Sequence, residues 1–263
     1  IPEAPGVYVF YGEAARPLYV GMSRSMRSRV MQHFSTATAW AREIRRIDWQ
    51  RTSGELGAAL REARLVKEPE PGYNRKLRRP QSLCGFAFDM KRLRLARPQE
   101  IDGETLPYVH GLFRSRRDAL RALRGLADEH GLCLQTLGFD APRHGPCFRY
   151  QIGRCRGVCA GRESIHVHHG RVAEALARLR AVEWPHAGPV GIVEHDRERD
   201  TAEIHVVDRW CYLGVASCDE ELAGLLEKAR APRFDYDHYR ILSRHLARQG
   251  VRTVKLASPC TVS

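Results

Sequence analysis

The chain has 263 residues, 43% hydrophobic and 28% charged, with no low-complexity tract, so a globular protein of one large or two modest domains is expected. Its 43 Lys and Arg against 31 Asp and Glu leave a formal net charge of +12, which suits a polyanionic partner because each basic group that neutralises a phosphate releases a counterion. No apolar run approaches the roughly eighteen residues of a membrane span, and no signal-peptide pattern opens the sequence, so a soluble cytoplasmic monomer with no membrane partner is expected.

Gly6 to Tyr11 is aromatic and β-branched, the composition of a buried strand. A polar turn over Gly12 to Pro17 leads into a second strand at Leu18 to Gly21, and the pair predicts a β-hairpin with Tyr8 and Tyr19 side by side. Met26, Val30 and Phe34 predict one apolar side of a helix from Ser25 to Phe34, with Arg27 and Arg29 on other faces. A third strand is expected at Arg46 to Arg51. Thr52 and Glu55 read as a capping box. The helix it starts carries Leu56, Ala59, Leu60, Ala63 and Val66 on its apolar face, with Glu62 beside the stripe, and must stop before Pro69 and Pro71.

The basic, turn-rich residues 75–82 predict a boundary between a domain at 1–80 and another at 81–263. In the second, Phe113 to Glu129 reads as a helix with Leu120, Leu123 and Leu126 inward and Arg117, Arg121 and Arg124 as a basic stripe. A further helix is expected at 171–182, strands at 191–193 and 204–207, and helices at 219–229 and 237–248. The acidic residues Asp196, Asp200, Glu203 and Asp208 lie near these strands, mostly in a stretch, His195 to Asp200, that reads as an exposed hairpin turn. Residues 188–263 are therefore expected to be structural or to contact a protein, and not to form a second active site.

Of eight cysteines, Cys133, Cys147, Cys155 and Cys159 cluster in the segment 131–162. Such clustering in a cytosolic protein favours a metal or iron–sulfur site over disulfides, and the spacing itself does not separate Zn²⁺ from a cluster. Cys84, Cys211, Cys218 and Cys260 show no ligand spacing. The histidines of His166-Val167-His168-His169 read as surface residues of a polar loop.

The paired triplets Gly6-Val7-Tyr8 and Tyr19-Val20-Gly21, followed in order by Arg29, Glu62 and Asn74, resemble the GIY-YIG nucleases. Residues 52–67, 145–161 and 234–242 extend the resemblance over nearly the whole chain, to the UvrC/Cho excinucleases of bacterial nucleotide excision repair and to Cho in particular. The resemblance implies an α+β fold: a GIY-YIG domain with a small antiparallel sheet flanked by helices, then a C-terminal α/β domain with the four-cysteine segment. It implies a metal-dependent endonuclease that makes one incision 3′ to a lesion, on damaged double-stranded DNA presented by UvrA and UvrB. Glu62 would hold Mg²⁺ or Mn²⁺, Arg29 the scissile phosphate, and Tyr8 would orient or deprotonate the water. Tyr19 would bond the phosphate or tune Tyr8, and Asn74 would tie the site together.

Arg24, Arg27, Arg117, Arg121 and Arg124 are candidate DNA contacts, and the four cysteines would hold a [4Fe–4S] cluster or, in its place, zinc. Met22 stands where the family usually has a lysine. A tyrosine, with a pKa of about 10, needs nearby positive charge to act as a base, and Arg24 is the candidate substitute. The alternatives are a catalytically weakened DNA- or UvrB-binding module, a cluster-centred redox or DNA-sensing protein, and the nuclease half of a fusion to a DNA polymerase III epsilon-like exonuclease.

Overall fold

In the computed structural model, residues 1–13, 17–36, 39–67, 73–74, 83–141, 144–228 and 234–257 are described. The basic segment at 75–82, the helix-stopping Pro69 and Pro71, and Cys260 lie outside them. The expected hairpin forms from β1 (Gly6–Tyr11) and β2 (Pro17–Ser23). Helix α1 (Met26–Ser35) follows, then β3 (Arg46–Arg51), which completes an antiparallel sheet in the order β2-β1-β3. Strand alternation sends Tyr8 and Phe10 to one face, where Met26 and Val30 of α1 pack on them. Phe34, expected on the same apolar side, meets Phe10 at 6.2 Å between ring centroids yet remains 43% exposed. On the other face Val9 and Val20 cluster with Val66 of α2 (Glu55–Lys67).

Helix α2 does not begin with the expected capping box. It starts at Glu55 itself, and the Thr52 hydroxyl donates to Gly54 O at 2.7 Å. The acceptor for its first turn comes from far along the chain: Leu56 N–H and Gly57 N–H donate to Glu194 Oε1 and Oε2 at 2.8 and 2.7 Å. At its other end Lys67 pairs with Asp235 and, at 3.1 Å, with Asp237.

A second antiparallel sheet has the order β5-β4-β6, from β4 (Cys84–Phe88), β5 (Leu93–Ala96) and β6 (Val109–Phe113). Helix α3 (Arg116–His130) starts three residues later than expected, because Phe113 belongs to β6 and Ser115 caps the helix by accepting from Asp118 N–H. It ends at Gly131, whose φ of 63° suits the left-handed residue that closes a helix. After the single turn α4 (Phe148–Gln151), α5 (Ile165–Ala177) by contrast starts earlier than the expected 171–182, with Ser164 accepting from Val167 N–H. Phe86, Leu123, Leu126, Val172 and Leu176 make the core between this sheet, α3 and α5.

Strands β7 (Val190–Asp196), β8 (Thr201–Asp208), β9 (Cys211–Ala216) and β10 (Thr253–Lys255) form a sheet in the order β10-β7-β8-β9, with α6 (Asp219–Lys228) and α7 (Tyr236–Leu246) where helices were expected. The β8–β9 turn is made by Arg209 and Trp210, both at positive φ. Such turns are usually signalled by glycine or asparagine, which is why β9 was not expected.

The chain divides into two compact units, Ile1–Pro80 with Trp184–Ser263, and Gln81–Glu183. One division thus falls near residue 80, and the last eighty residues group with the first eighty. No helix among the described residues is long and apolar enough to cross a membrane.

Candidate active site and cysteine cluster

The β1–β2 register places Gly21 opposite Tyr8 and Tyr19 opposite Phe10. Directly paired residues share a face, so Tyr8 and Tyr19 are diagonal neighbours, their ring centroids 6.2 Å apart. The glycines of both triplets have steric reasons to be there. A Cβ on Gly21 would lie 2.5 Å from the Tyr8 hydroxyl and 2.7 Å from the Tyr19 ring, and one on Gly6 would lie 2.3 Å from Gln50 O. Gly21 therefore leaves room for the tyrosine pair, and Gly6 lets β1 close on β3.

The Tyr8 hydroxyl lies 2.8 Å from His33 Nε2. Burial pushes the Tyr8 phenol far above its ordinary range, Tyr19 and Glu62 add to the rise, and the charge and hydrogen bond of Arg29 oppose it. Burial also raises Tyr19, helped by Glu62 and opposed by Arg29 and by a hydrogen bond with Tyr8. These couplings put Tyr8, Tyr19, Arg29 and Glu62 in one site. Glu62 is pushed up to about 7 by burial, and no cation among the described residues offsets that rise. Asn74 completes the edge of β2: its Oδ1 accepts Val20 N–H at 2.8 Å and its Nδ2 donates to Val20 O at 2.7 Å. The side-chain amide thus stands in for a neighbouring strand beside Tyr19.

His33 was missed by the sequence reading. It stands one helical turn after Arg29 on α1, and that i, i+4 relation was the signal available. Burial and the Arg29 charge lower its pKa, so it is neutral near pH 7 and able to accept a proton.

Met22 pairs with Val7, so alternation sends its side chain from the face that α2 covers, away from the tyrosine rings. Arg24, the candidate substitute for the lysine, is exposed and bonds Glu55 at 2.6 Å. Arg27 is exposed on α1, and Arg117, Arg121 and Arg124 are exposed along α3, with Arg121 3.4 Å from Asp118. Asp196, expected in an exposed turn, is the last residue of β7 and is buried against Arg51 at 2.7 Å. Glu203 accepts Ser53 N–H at 2.8 Å, and Asp208 pairs with Arg209 at 3.4 Å.

In the other unit the Sγ atoms of Cys133, Cys147, Cys155 and Cys159 all lie within 4.8 Å of one another. Cys133 follows the end of α3, Cys147 precedes α4, and glycines at positive φ, Gly145, Gly153, Gly157 and Gly161, turn the segment back on itself. Sulfurs accept from the backbone: Thr136 N–H to Cys133 at 3.5 Å, Cys147 N–H to Cys159 at 3.4 Å and Gly157 N–H to Cys155 at 3.4 Å. Burial raises Cys133, but bonds from the Thr136 hydroxyl and N–H and from the neighbouring thiols outweigh it and hold the thiol below its usual range. Burial pushes Cys147 and Cys155 up. His168 is not a surface residue: it lies in α5, fully buried, and accepts Cys133 N–H at 3.0 Å. Burial, then Arg171, lowers its pKa to about 4, so it serves as a neutral support for the first cysteine.

The sequence matches the family descriptions UvrC-like GIY-YIG domain over residues 4–75, UvrC/Cho excinuclease middle domain over 87–178 and Excinuclease Cho C-terminal domain over 189–260. It is 42% identical over 251 residues to excinuclease Cho of Escherichia coli (strain K12), covering 94% of this chain and 83% of that protein. With excinuclease Cho of Salmonella typhi it shares 39% over 267 residues, 100% of this chain and 89% of that one. UvrABC system protein C of Geobacter metallireducens is 31% identical over 190 residues, 68% of this chain and 30% of that one. Among solved structures it is similar to the GIY-YIG N-terminal endonuclease domain of UvrC from Thermotoga maritima, bound to its catalytic divalent cation magnesium. The identity there is 28%, over 28% of this chain and 85% of that one, with a TM-score of 0.26.

Proposed function

The chain belongs to the excinuclease Cho family of GIY-YIG endonucleases, nucleotide excision repair nucleases, and from that premise we propose that it makes a single incision 3′ to a lesion in duplex DNA, in the cytoplasm and as a monomer, with the damaged DNA presented by UvrB after loading by UvrA. The observation that carries the reading is the contact of the Tyr8 hydroxyl with His33 Nε2 inside a site that also holds Arg29, Tyr19 and Glu62.

Glu62 fits a divalent cation: its carboxylate is held protonated to about pH 7 by burial alone, and a cation against it would reverse that penalty. Bound there, Mg²⁺ or Mn²⁺ supplies Lewis-acid stabilisation of the charge that builds on the phosphate. The other roles fall to the chain's own groups. Arg29 offers its planar donor fork to the scissile phosphate. Tyr8 is too basic when deprotonated to be a resting phenolate, so it acts as a relay. Its oxygen takes a proton from the attacking water as its own proton passes to His33 Nε2. The lowered pKa of His33 keeps that nitrogen free to accept near neutral pH. Tyr19, its ring 6.2 Å from that of Tyr8, faces the phosphate, and Asn74 holds β2 so that Tyr19 stays in place. Purified protein with UvrA, UvrB and Mg²⁺ is expected to nick lesion-bearing duplex, with Glu62→Ala inactive and His33→Ala slowed by about a hundredfold or more. Full activity in Glu62→Ala would sink the assignment.

Four thiols in one place support a thiophilic centre. The family resemblance supports [4Fe–4S], whereas the sulfur spacing supports a single ion. A tetrahedral zinc site has sulfur–sulfur edges of about 3.8 Å from its Zn–S length, compatible with sulfurs within 4.8 Å. A four-iron cube puts each thiolate on a different iron and needs the sulfurs farther apart. Iron, sulfide and zinc analysis with visible absorption, after anaerobic purification, separates the two. Arg27 and the α3 stripe of Arg117, Arg121 and Arg124 are the proposed backbone contacts to DNA.

A further inference from the structure

Tyr19 is the first of three stacked rings. It stacks on Trp40, from the 3-10 turn Ala39–Glu43, with centroids 5.3 Å apart and planes inclined by 22°. Trp40 stacks in turn on Tyr73, at 5.7 Å and 25°. The stack runs from one of the paired tyrosines to a ring that is 38% exposed. Tyr73 is also held in place: its N–H donates to Leu18 O at 2.8 Å and its hydroxyl to Glu43 Oε1 at 2.7 Å. A ring already fixed loses little freedom when another flat ring stacks on it. Tyr73 directly precedes Asn74, whose amide spans the Val20 backbone, so ladder and active site are anchored to the same strand.

A nucleotide presents a phosphate and a flat π-face. Arg29 and Glu62 answer the phosphate end of the site; Trp40 also packs on Phe10 and His33 of the core, but neither that packing nor the reaction accounts for a third stacked ring, Tyr73, at the surface. We propose that the ladder is a stacking platform for an unpaired nucleobase flanking the scissile phosphate, with Tyr73 as the ring that touches it. The proposal rests on the nuclease reading of the tyrosine site. Stacking tolerates every base because each has a π-face, so the platform would set the path of the strand without choosing its sequence. That suits an enzyme directed by lesions. Tyr73 is a positioning residue, since it meets the base and not the reacting atoms.

The test compares the starting protein, Tyr73→Phe and Tyr73→Ala in nicking of lesion-bearing duplex with UvrA, UvrB and Mg²⁺. Each acts on an intact substrate and on substrates with one abasic nucleotide on either side of the scissile phosphate. Tyr73→Phe keeps the ring but loses the Glu43 bond that steadies it, so it is expected to retain most of the activity that Tyr73→Ala loses. Tyr73→Ala is expected to lose about tenfold in kcat/KM on the intact substrate, and to match the starting protein on one abasic substrate, where the stacking base is already gone. An equal loss for Tyr73→Ala on every substrate would overturn the platform and point to a protein contact or a local fold defect; no loss on any substrate would overturn it too. A starting protein that nicks nothing removes the nuclease reading itself, whereas failure of the platform alone leaves nicking intact.

Discussion

Replacing Glu194 with Ala would remove the acceptor for the first turn of the helix that carries Glu62. Two backbone donors, Leu56 N–H and Gly57 N–H, lose a charged partner, and His205, buried and 3.2 Å from the same carboxylate, loses its own. A lost helix cap costs about 1 kcal/mol and a hydrogen bond to a charged group about 1.5–3 kcal/mol. Allowing for partial relaxation of the turn, a total of about 3 kcal/mol is expected. That corresponds to a fall in Tm of about 6–12 °C for a protein of this size. Thermal unfolding followed by circular dichroism measures it, and the deficit should depend on pH. Burial pushes the Glu194 carboxyl up, but the His205 bond and the two N–H donors outweigh it and hold the folded-state pKa below the ordinary 4.5. A carboxyl depressed in this way stabilises the fold fully above 4.5 and loses that contribution as pH falls through the lower, folded value. The gap between starting protein and Glu194→Ala should therefore be widest near neutral pH and close on acidification. A Tm unchanged within one degree at pH 7, or a gap that widens in acid, would refute the reasoning.

Three further outcomes are expected. Met22→Lys should leave the nicking rate within a few-fold of the starting protein, because the new side chain leaves from the face away from the tyrosine rings; a large gain in rate would show that the charge reaches Tyr8. Gly21→Ala should abolish most nicking while the protein stays folded by circular dichroism, since the added methyl displaces the Tyr8 hydroxyl and Tyr19 ring at an overpacking cost of about 1–3 kcal/mol. Combined Arg117→Ala, Arg121→Ala and Arg124→Ala should weaken DNA binding uniformly across sequences, and the slope of log K against log salt should become shallower by about 0.9 for each phosphate that is no longer neutralised; an unchanged slope removes α3 from the DNA interface.

What could be read in advance followed the range of the forces involved. Tyr8, Tyr19, Arg29 and Glu62 stand on a hairpin and two amphipathic helices whose periodicity is local, so their order along the chain already implied their meeting in space. Four thiols in one short segment implied a cluster for the same reason, but thiolate spacing is shared by zinc and iron–sulfur sites and could not name the occupant. His33 was within reach at helical spacing from Arg29. His168 was not, because a run of histidines looks solvated until Ser164 caps a helix that turns one of them into the core. Glu194, Asp235 and Asp196 had no local signal at all: their partners, Leu56 and Gly57, Lys67 and Arg51, lie more than a hundred residues away. Thr52 and Glu55 had the composition of a self-sufficient cap, and the fold used a distant carboxylate instead. The proposed nuclease residues are therefore encoded in the first eighty positions, while both ends of the helix that presents Glu62 are held by the last eighty. A truncation that kept only the first eighty would retain every residue of the proposed chemistry and lose what holds Glu62 in place.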